Sequence, residues 1–443
     1  MNRCLRLGLA AGLGAWLAGC STIDPISGPA VQSGSANFGV YVAMGTSLGS
    51  GYSNGGLVER HQRHSYPYLF AQQVGAVSFT IPSISDSGLG PLLVLRSYSP
   101  VLITRASTPG LPTNFLQPTS YHNMSIPGAL LVDVLDSTAA PGGYSRGLFP
   151  VIQRGRGLIL QQAIGLGPTF VSFEYGANEV LYPASQLGSG TAVYSPAVFA
   201  SLYTAAMNGL ALGAPNAKLA LINVPDVTSI PFFTTFPPFT RSLTTGQPIP
   251  LIGADANLMP GDLVLLTAAD SLAIGTGIPL GGYNYVNPSA PGNGRALPEA
   301  LILRTSEVAS LQATVAAYNG VIDTVATRRN AALVDLNRLL REVATNGITY
   351  GSTVYTDDFV TGGIFGLDGV HPTDLGYAVM ANAMIDAVNA KFGASIRHVD
   401  LGAVAARGRY ASRPAKEELA APRVLGLGAV LRDLYGEPGA AVP

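Results

Sequence analysis

One serine, one histidine and one aspartate stand where together they could make a nucleophile. Ser47 lies in Gly45-Thr46-Ser47-Leu48-Gly49, a turn that follows the apolar run of residues 38–44. A serine hydroxyl is a weak nucleophile unless a base takes its proton. The candidate base lies near the far end of the chain, in Asp368-Gly-Val-His371-Pro, with the acid three residues before the histidine. If Asp368 accepts from one ring nitrogen and holds the tautomer, the other nitrogen of His371 is free to take the Ser47 proton. Such chemistry also needs donors for a developing oxyanion. Gly128, in Asn123-Met-Ser-Ile-Pro-Gly128, has no Cβ to cover its N–H. Asn178, in Gly176-Ala177-Asn178-Glu179, could aim a side-chain amide. Each also has a plainer reading, Gly128 as a turn glycine and Asn178 as an Asx-turn residue.

These residues need a scaffold that brings residue 47 to residue 371. Residues 38–44 are β-branched and aromatic and bounded by glycine, which predicts a buried strand. A short helix is expected over 66–74 and a second strand over 77–81. Further strands are expected over 168–175, 218–224 and 331–335, and a helix over 191–212. Val308, Leu311, Val315, Tyr318, Ile322 and Val325 recur at helical spacing. Thr373 can cap a last helix running to residue 391. Strands alternating with helices predict an α/β fold, a parallel sheet flanked on both faces. In such sheets ligands bind at the carboxyl ends of strands, which is where Ser47 and Asn178 fall.

Two long stretches, about 82–120 and 226–297, are rich in Pro, Gly and Ser and read as insertions, of the kind that form lids or binding loops. The second opens with Phe232, Phe233, Phe236 and Phe239 among prolines, an aromatic loop that could wall an acyl pocket or pack on itself. His61 and His64 have a metal-ligand spacing, but no third ligand is evident nearby and they read as loop histidines. No metal or organic cofactor is expected.

Charged residues make up 12 % of the 443, against about 25 % in typical domains, and 25 basic residues balance 26 acidic ones. With no basic block, nucleic acid is not expected as a partner. Hydrophobic residues, at 47 %, are ample for a large core. Residues 1–19 carry Arg3 and Arg6, then an apolar stretch too short to span a bilayer, ending in Leu17-Ala18-Gly19-Cys20. This resembles the lipobox of bacterial lipoproteins, which implies lipidation at Cys20 and a membrane as partner, the outer membrane in a Gram-negative-type cell. Ser21 is not the aspartate that, in that resemblance, retains a lipoprotein at the inner membrane. Residues 20–37 read as a flexible tether, 38–399 as the folded domain, and 400–443 as a partly disordered tail. Oligomeric state is not readable from the sequence.

Taken in order, the four blocks resemble the SGNH, or GDSL, hydrolases. Gly45-Thr46-Ser47-Leu48 matches the first block, with Thr46 where the family usually has Asp. Asn123-Met-Ser-Ile-Pro-Gly128 matches the second. Gly176-Ala177-Asn178-Glu179 matches the third, with Glu179 replacing the usual Asp. Asp368-Gly-Val-His371-Pro matches the fourth. The resemblance implies a flavodoxin-like three-layer α/β/α sandwich with a parallel central sheet and long loop insertions. It implies a serine esterase or lipase acting on carboxylic esters, of acyl-lipid type given the apolar inserts. In that mechanism Ser47 is nucleophile, His371 base and Asp368 orienter, with Ser47, Gly128 and Asn178 forming the oxyanion hole. A carbohydrate O-acetyl esterase and a non-catalytic surface lipoprotein that binds apolar ligands are the alternatives. The Gly-x-Ser-x-Gly elbow of α/β-hydrolases also fits residues 45–49. Against it, Ser47 follows the first strand, and Asp368 and His371 share one loop.

Overall fold

Four short apolar runs make the central sheet. They are β1 (Tyr41–Met44), β2 (Phe170–Glu174), β3 (Lys218–Ile222) and β4 (Ala332–Val334). In this computed structural model, which describes residues 31–90, 92–98, 101–137, 148–407, 427–428 and 431, the four lie side by side in chain order. All pairings are parallel, with Tyr41 beside Phe170, Phe170 beside Lys218, and Ala220 beside Ala332. Every residue of β1 and β2 is buried, as a parallel sheet covered on both faces requires.

The helices that matter for the site are α1 (Ser47–Ser50), α2 (Tyr66–Gln73), α3 (Asn178–Leu187), α4 (Pro196–Gly213), α5 (Thr305–Arg329) and α6 (Asp374–Phe392). Alternate residues of a strand point to opposite faces, and β2 shows both layers. Phe170 stacks on Phe70 of α2 and meets Phe392 of α6 edge-on. Phe173 turns the other way and meets Tyr203 of α4. On that second face Phe199 of α4 and Tyr318 of α5 stack with centroids 3.8 Å apart. Thr373 accepts from Gly376 N–H at the start of α6, as expected, whereas α4 begins later than residue 191, where Ser195 accepts from Val198 N–H.

The α/β class and the parallel sheet are as expected, but several segments differ. Residues 77–81 are not a strand. The β1 edge is taken instead by residues 122–126: His122 C=O accepts from Ala43 N–H, while Met124 and Ile126 donate to Ala43 and Gly45. The 77–81 stretch only crosses outside this, with Val77 fully exposed and Phe79 stacked on Tyr41. Within the first insertion, Leu93–Tyr98 and Val101–Arg105 pair as an antiparallel hairpin with a bulge. The second insertion is ordered, holding the antiparallel pairs Phe239–Arg241 with Pro248–Pro250 and Leu263–Val264 with Ile302–Leu303. The end of the expected tether is packed down: Ser35 N–H donates to Phe392 C=O, and Ala36 is buried. In the tail, Leu401–Arg407 is helical and packs on α6, and Leu427 and Leu431 are buried. Among the described residues no helix is long and apolar enough to cross a membrane.

The stacked Phe199–Tyr318 pair joins α4 to α5 over the sheet. Phe199→Ala should lower unfolding stability by about 3–5 kcal/mol through the cavity it leaves, measured by urea denaturation. A loss under 1 kcal/mol would show that the pair does not hold the layer.

Candidate active site

Ser47 leaves the sheet with the chain. After β1, Gly45 and Thr46 turn the backbone, and Ser47 becomes the first residue of the one-turn helix α1, 7 % exposed. Its neighbour across the cleft is the 366–373 loop. There the His371 ring bonds through Nδ1 to Asp368 Oδ2 at 3.0 Å. Asp368 is fully buried and accepts three backbone N–H groups as well: Val370 and His371 on Oδ1 at 2.9 Å each, and Gly55 on Oδ2 at 2.8 Å. Burial alone would raise this carboxyl, but the His371 charge and the hydrogen bonds outweigh it and hold it below the usual aspartate range. With Nδ1 committed to Asp368, Nε2 is the ring nitrogen available to the cleft. Tyr52 flanks the imidazole, its ring centroid 4.7 Å away. Among the described residues no hydrogen bond yet joins Ser47 Oγ to His371. Such contacts commonly tighten only with substrate in place.

The two oxyanion candidates meet on the opposite wall. Ala129 N–H donates to Ile126 C=O at 3.1 Å, closing a turn with Pro127 and Gly128 at its centre. Gly128 has φ +80°, the conformation that the third position of a type II turn requires and that a side chain would strain. Asn178 begins α3 immediately past β2, and its Nδ2 donates to Ala129 C=O at 2.8 Å. That bond uses one of the two amide hydrogens and ties Asn178 to the Gly128 turn. Ser47, Gly128, Asn178 and His371 all line one cleft, walled by Tyr52, Pro127, Leu148, Leu181, Tyr182 and Gln186.

The aromatic loop is not part of that cleft. Phe232, Phe233 and Phe236 are buried, Phe239 lies in a strand of the insertion, and Phe236 packs near Tyr285. The buried rings join the main hydrophobic core instead of opening to solvent. Phe232 N–H does donate to Gly369 C=O at 2.8 Å, so the loop buttresses the Asp368–His371 segment from behind. His61 and His64 turn towards Asp374 at the start of α6, with His61 Nδ1 2.7 Å from its carboxylate. No group of three or more metal-ligating side chains occurs among the described residues. Cys20 lies outside them.

Sequence reasoning missed the cleft walls, the Glu174 carboxylate and the burial of Glu179. Glu174 ends β2, and Glu179 sits in the first turn of α3. Each is held up to about 7 by burial, against an ordinary 4.5. For Glu174 the signal was present: an acid closing an otherwise uncharged, buried run is rarely there without a partner. Glu179 accepts Leu131 N–H on Oε1 at 2.6 Å, while Oε2 has no hydrogen-bond partner among the described residues.

A model of the GDSL-like lipase/acylhydrolase family matches residues 41–384. No curated protein matches the sequence. Among solved structures, an extracellular lipase from Streptomyces rimosus is similar at 13 % identity and TM-score 0.35, over 79 % of this chain and 98 % of that one. Phospholipase A1 from Streptomyces albidoflavus NA297 is similar at 13 % identity and TM-score 0.32, over the same shares of the two chains. Overlaps of that size carry no argument of their own.

The Glu179 carboxyl makes stability depend on pH. As pH rises past the ordinary value the unfolded chain loses this proton first, while the fold keeps it until about 7. The unfolded state therefore binds fewer protons between the two, and stability falls as pH rises through that window. Glu179→Gln removes the ionisation and should raise stability at pH 8 by on the order of 3 kcal/mol relative to its effect at pH 4.5. Thermal unfolding at the two pH values checks this, and an equal effect at both would contradict it.

Proposed function

We propose a mechanism from one premise: the chain belongs to the GDSL-like lipase/acylhydrolase family and is a carboxylic ester hydrolase. The observation that carries the mechanism is the buried Asp368–His371 pair opening onto the same cleft as Ser47, Gly128 and Asn178. His371 Nε2 takes the Ser47 proton as Oγ attacks the ester carbonyl carbon. The carbonyl π electrons move onto oxygen, where the Ser47 N–H, the Gly128 N–H and the second Asn178 amide hydrogen receive them. Collapse expels the alkoxide, which His371 protonates, and leaves an acyl group on Ser47. Water, deprotonated by the same nitrogen, repeats the sequence and frees the acid. Asp368 keeps the ring in the tautomer this needs.

The substrate in this reading is an ester whose acyl chain lies between Leu148, Leu181, Pro127 and the Tyr52 and Tyr182 rings. These apolar walls, not the aromatic loop, support an acyl-lipid type of substrate over an acetylated sugar. The chain would act from the cell envelope, exported and anchored through lipidated Cys20, in the outer membrane of a Gram-negative-type cell.

A fluorophosphonate probe should label Ser47 in the protein freed of its leader, and mass spectrometry locates the adduct. His371→Ala should abolish labelling, and Asn178→Ala should lower kcat by roughly 10²–10³. On p-nitrophenyl esters kcat/KM should exceed that on acetylated xylo-oligosaccharides. An adduct on another serine would refute the mechanism, and a preference for the acetylated sugar would refute the substrate. For the anchor, Cys20→Ser should move the expressed protein from the membrane to the soluble fraction, whereas continued membrane recovery would rule out lipidation there.

A further inference from the structure

Beneath the Ser47 turn lies a carboxylate that the mechanism above does not use. Glu174 is 3 % exposed, and its neighbour Thr46 is 1 % exposed. The Thr46 N–H donates to Glu174 Oε2 at 2.9 Å, and the Thr46 hydroxyl lies 3.0 Å from both carboxylate oxygens. The Gly49 N–H adds to the same donor set. The backbone is shaped for this approach, since a Cβ on Gly45 would stand 2.9 Å from Glu174 Oε2. The Thr46 groups that meet the carboxylate are donors, so the position calls for an acceptor.

Thr46 is the residue before Ser47, and the peptide between them carries the Ser47 N–H. Fixing Thr46 at both its N–H and its side chain therefore fixes the plane of that peptide. We propose that Glu174 is a positioning residue for ester cleavage: gripping Thr46 from β2, it aims the Ser47 N–H and hydroxyl into the cleft. The inference rests on Ser47 being the nucleophile. Glu174 does not touch substrate and acts through Thr46. A pair of donors misaimed by a fraction of an ångström still binds an ester but loses the charge that develops in the transition state. The loss should thus fall on kcat and leave KM nearly unchanged.

The test is a double-mutant cycle on a soluble ester, with unfolding temperature and fluorophosphonate labelling measured for each protein. Glu174→Gln keeps the shape but turns an amide NH₂ towards the Thr46 donors. It should lower kcat roughly 10- to 100-fold with KM within about twofold. Thr46→Val removes the hydroxyl and should lower kcat by less, and Thr46→Ser, which restores it, should recover most of that loss. The double variant should be no slower than Glu174→Gln alone, because the two act as one unit. If Glu174→Gln fails to fold, the comparison of Thr46→Val with Thr46→Ser decides: equal kcat in the two overturns the proposal. Additive losses in the cycle overturn it also, as does a fall in unfolding temperature with kcat unchanged. Wild-type protein that does not label at Ser47 would overturn the nucleophile assignment and this inference with it. Labelled wild type with additive losses would overturn this inference alone.

Discussion

The arrangement of the cleft depends on the bonds made by the Asp368 carboxylate. A fully buried carboxylate is costly unless its oxygens are satisfied, and Asp368 is satisfied from two parts of the chain at once. Val370, His371 and the His371 ring bond to it from its own loop, and Gly55 N–H reaches it from the segment that leaves α1. That last bond spans 313 residues of sequence. It is reinforced around the same seam by Asn54 Oδ1 accepting from Leu367 N–H, by Ser53 Oγ donating to Pro372 C=O, and by Tyr377 Oη donating to Tyr52 C=O. The histidine is oriented and the serine's own loop is clamped by one acid. Neither loop could shift without leaving a buried charge short of a partner.

Where the determinant of structure was local or chemically singular, the sequence displayed it. The strands are short, mostly apolar runs, and α6 begins at its capping threonine. The residues lining the cleft include Ser47, Gly128, Asn178 and His371, each recognisable because its type and position suit one task. What escaped was decided by competition between distant segments. Residues 77–81 alternate apolar and polar types as a strand would, yet Val77 is exposed while Phe79 and Ile81 are buried. They lose the β1 edge to residues 122–126, a contest that no local pattern reveals. The hairpin over 93–105 did carry a local signal, two β-rich runs around Ser99-Pro100, hidden by the proline and serine content of its surroundings. The aromatic loop carries two readings in the sequence for a different reason. Four rings in ten residues announce burial but not what they are buried against.

A sparingly charged chain must place its few acids with care, and β2 and the turn after it show how. Glu174 is bonded by Thr46, whereas Glu179 lies in the first turn of α3, bonded to Leu131 N–H. Both are raised towards neutrality by burial. They sit on either side of Asn178 in the sequence, so the strand end that carries Asn178 is flanked by two carboxyls that burial raises to about 7. Asp368 stands apart, held low by its bond to His371 and a ring of backbone donors. The cleft therefore keeps one acid held low beside His371 and two raised towards neutrality near Ser47 and Asn178.

This distribution also explains how the chain departs from the family pattern without losing the site. A non-catalytic binding role drew its sequence support from two positions, Thr46 and Glu179, where the family usually carries aspartate. At the first, the carboxylate is present after all but arrives from the neighbouring strand, as Glu174 held by Thr46. An aspartate at 46 would instead set two carboxylates face to face in a dry pocket, where one of them must be protonated. At the second, a side chain one methylene longer still finds a backbone donor, Leu131, while Asn178 keeps its bond to Ala129. In both places the substitution alters how the support is delivered and leaves the groups that face the cleft where they are needed. Decay of an abandoned site would be expected to show the opposite pattern, with intact supports around missing chemistry.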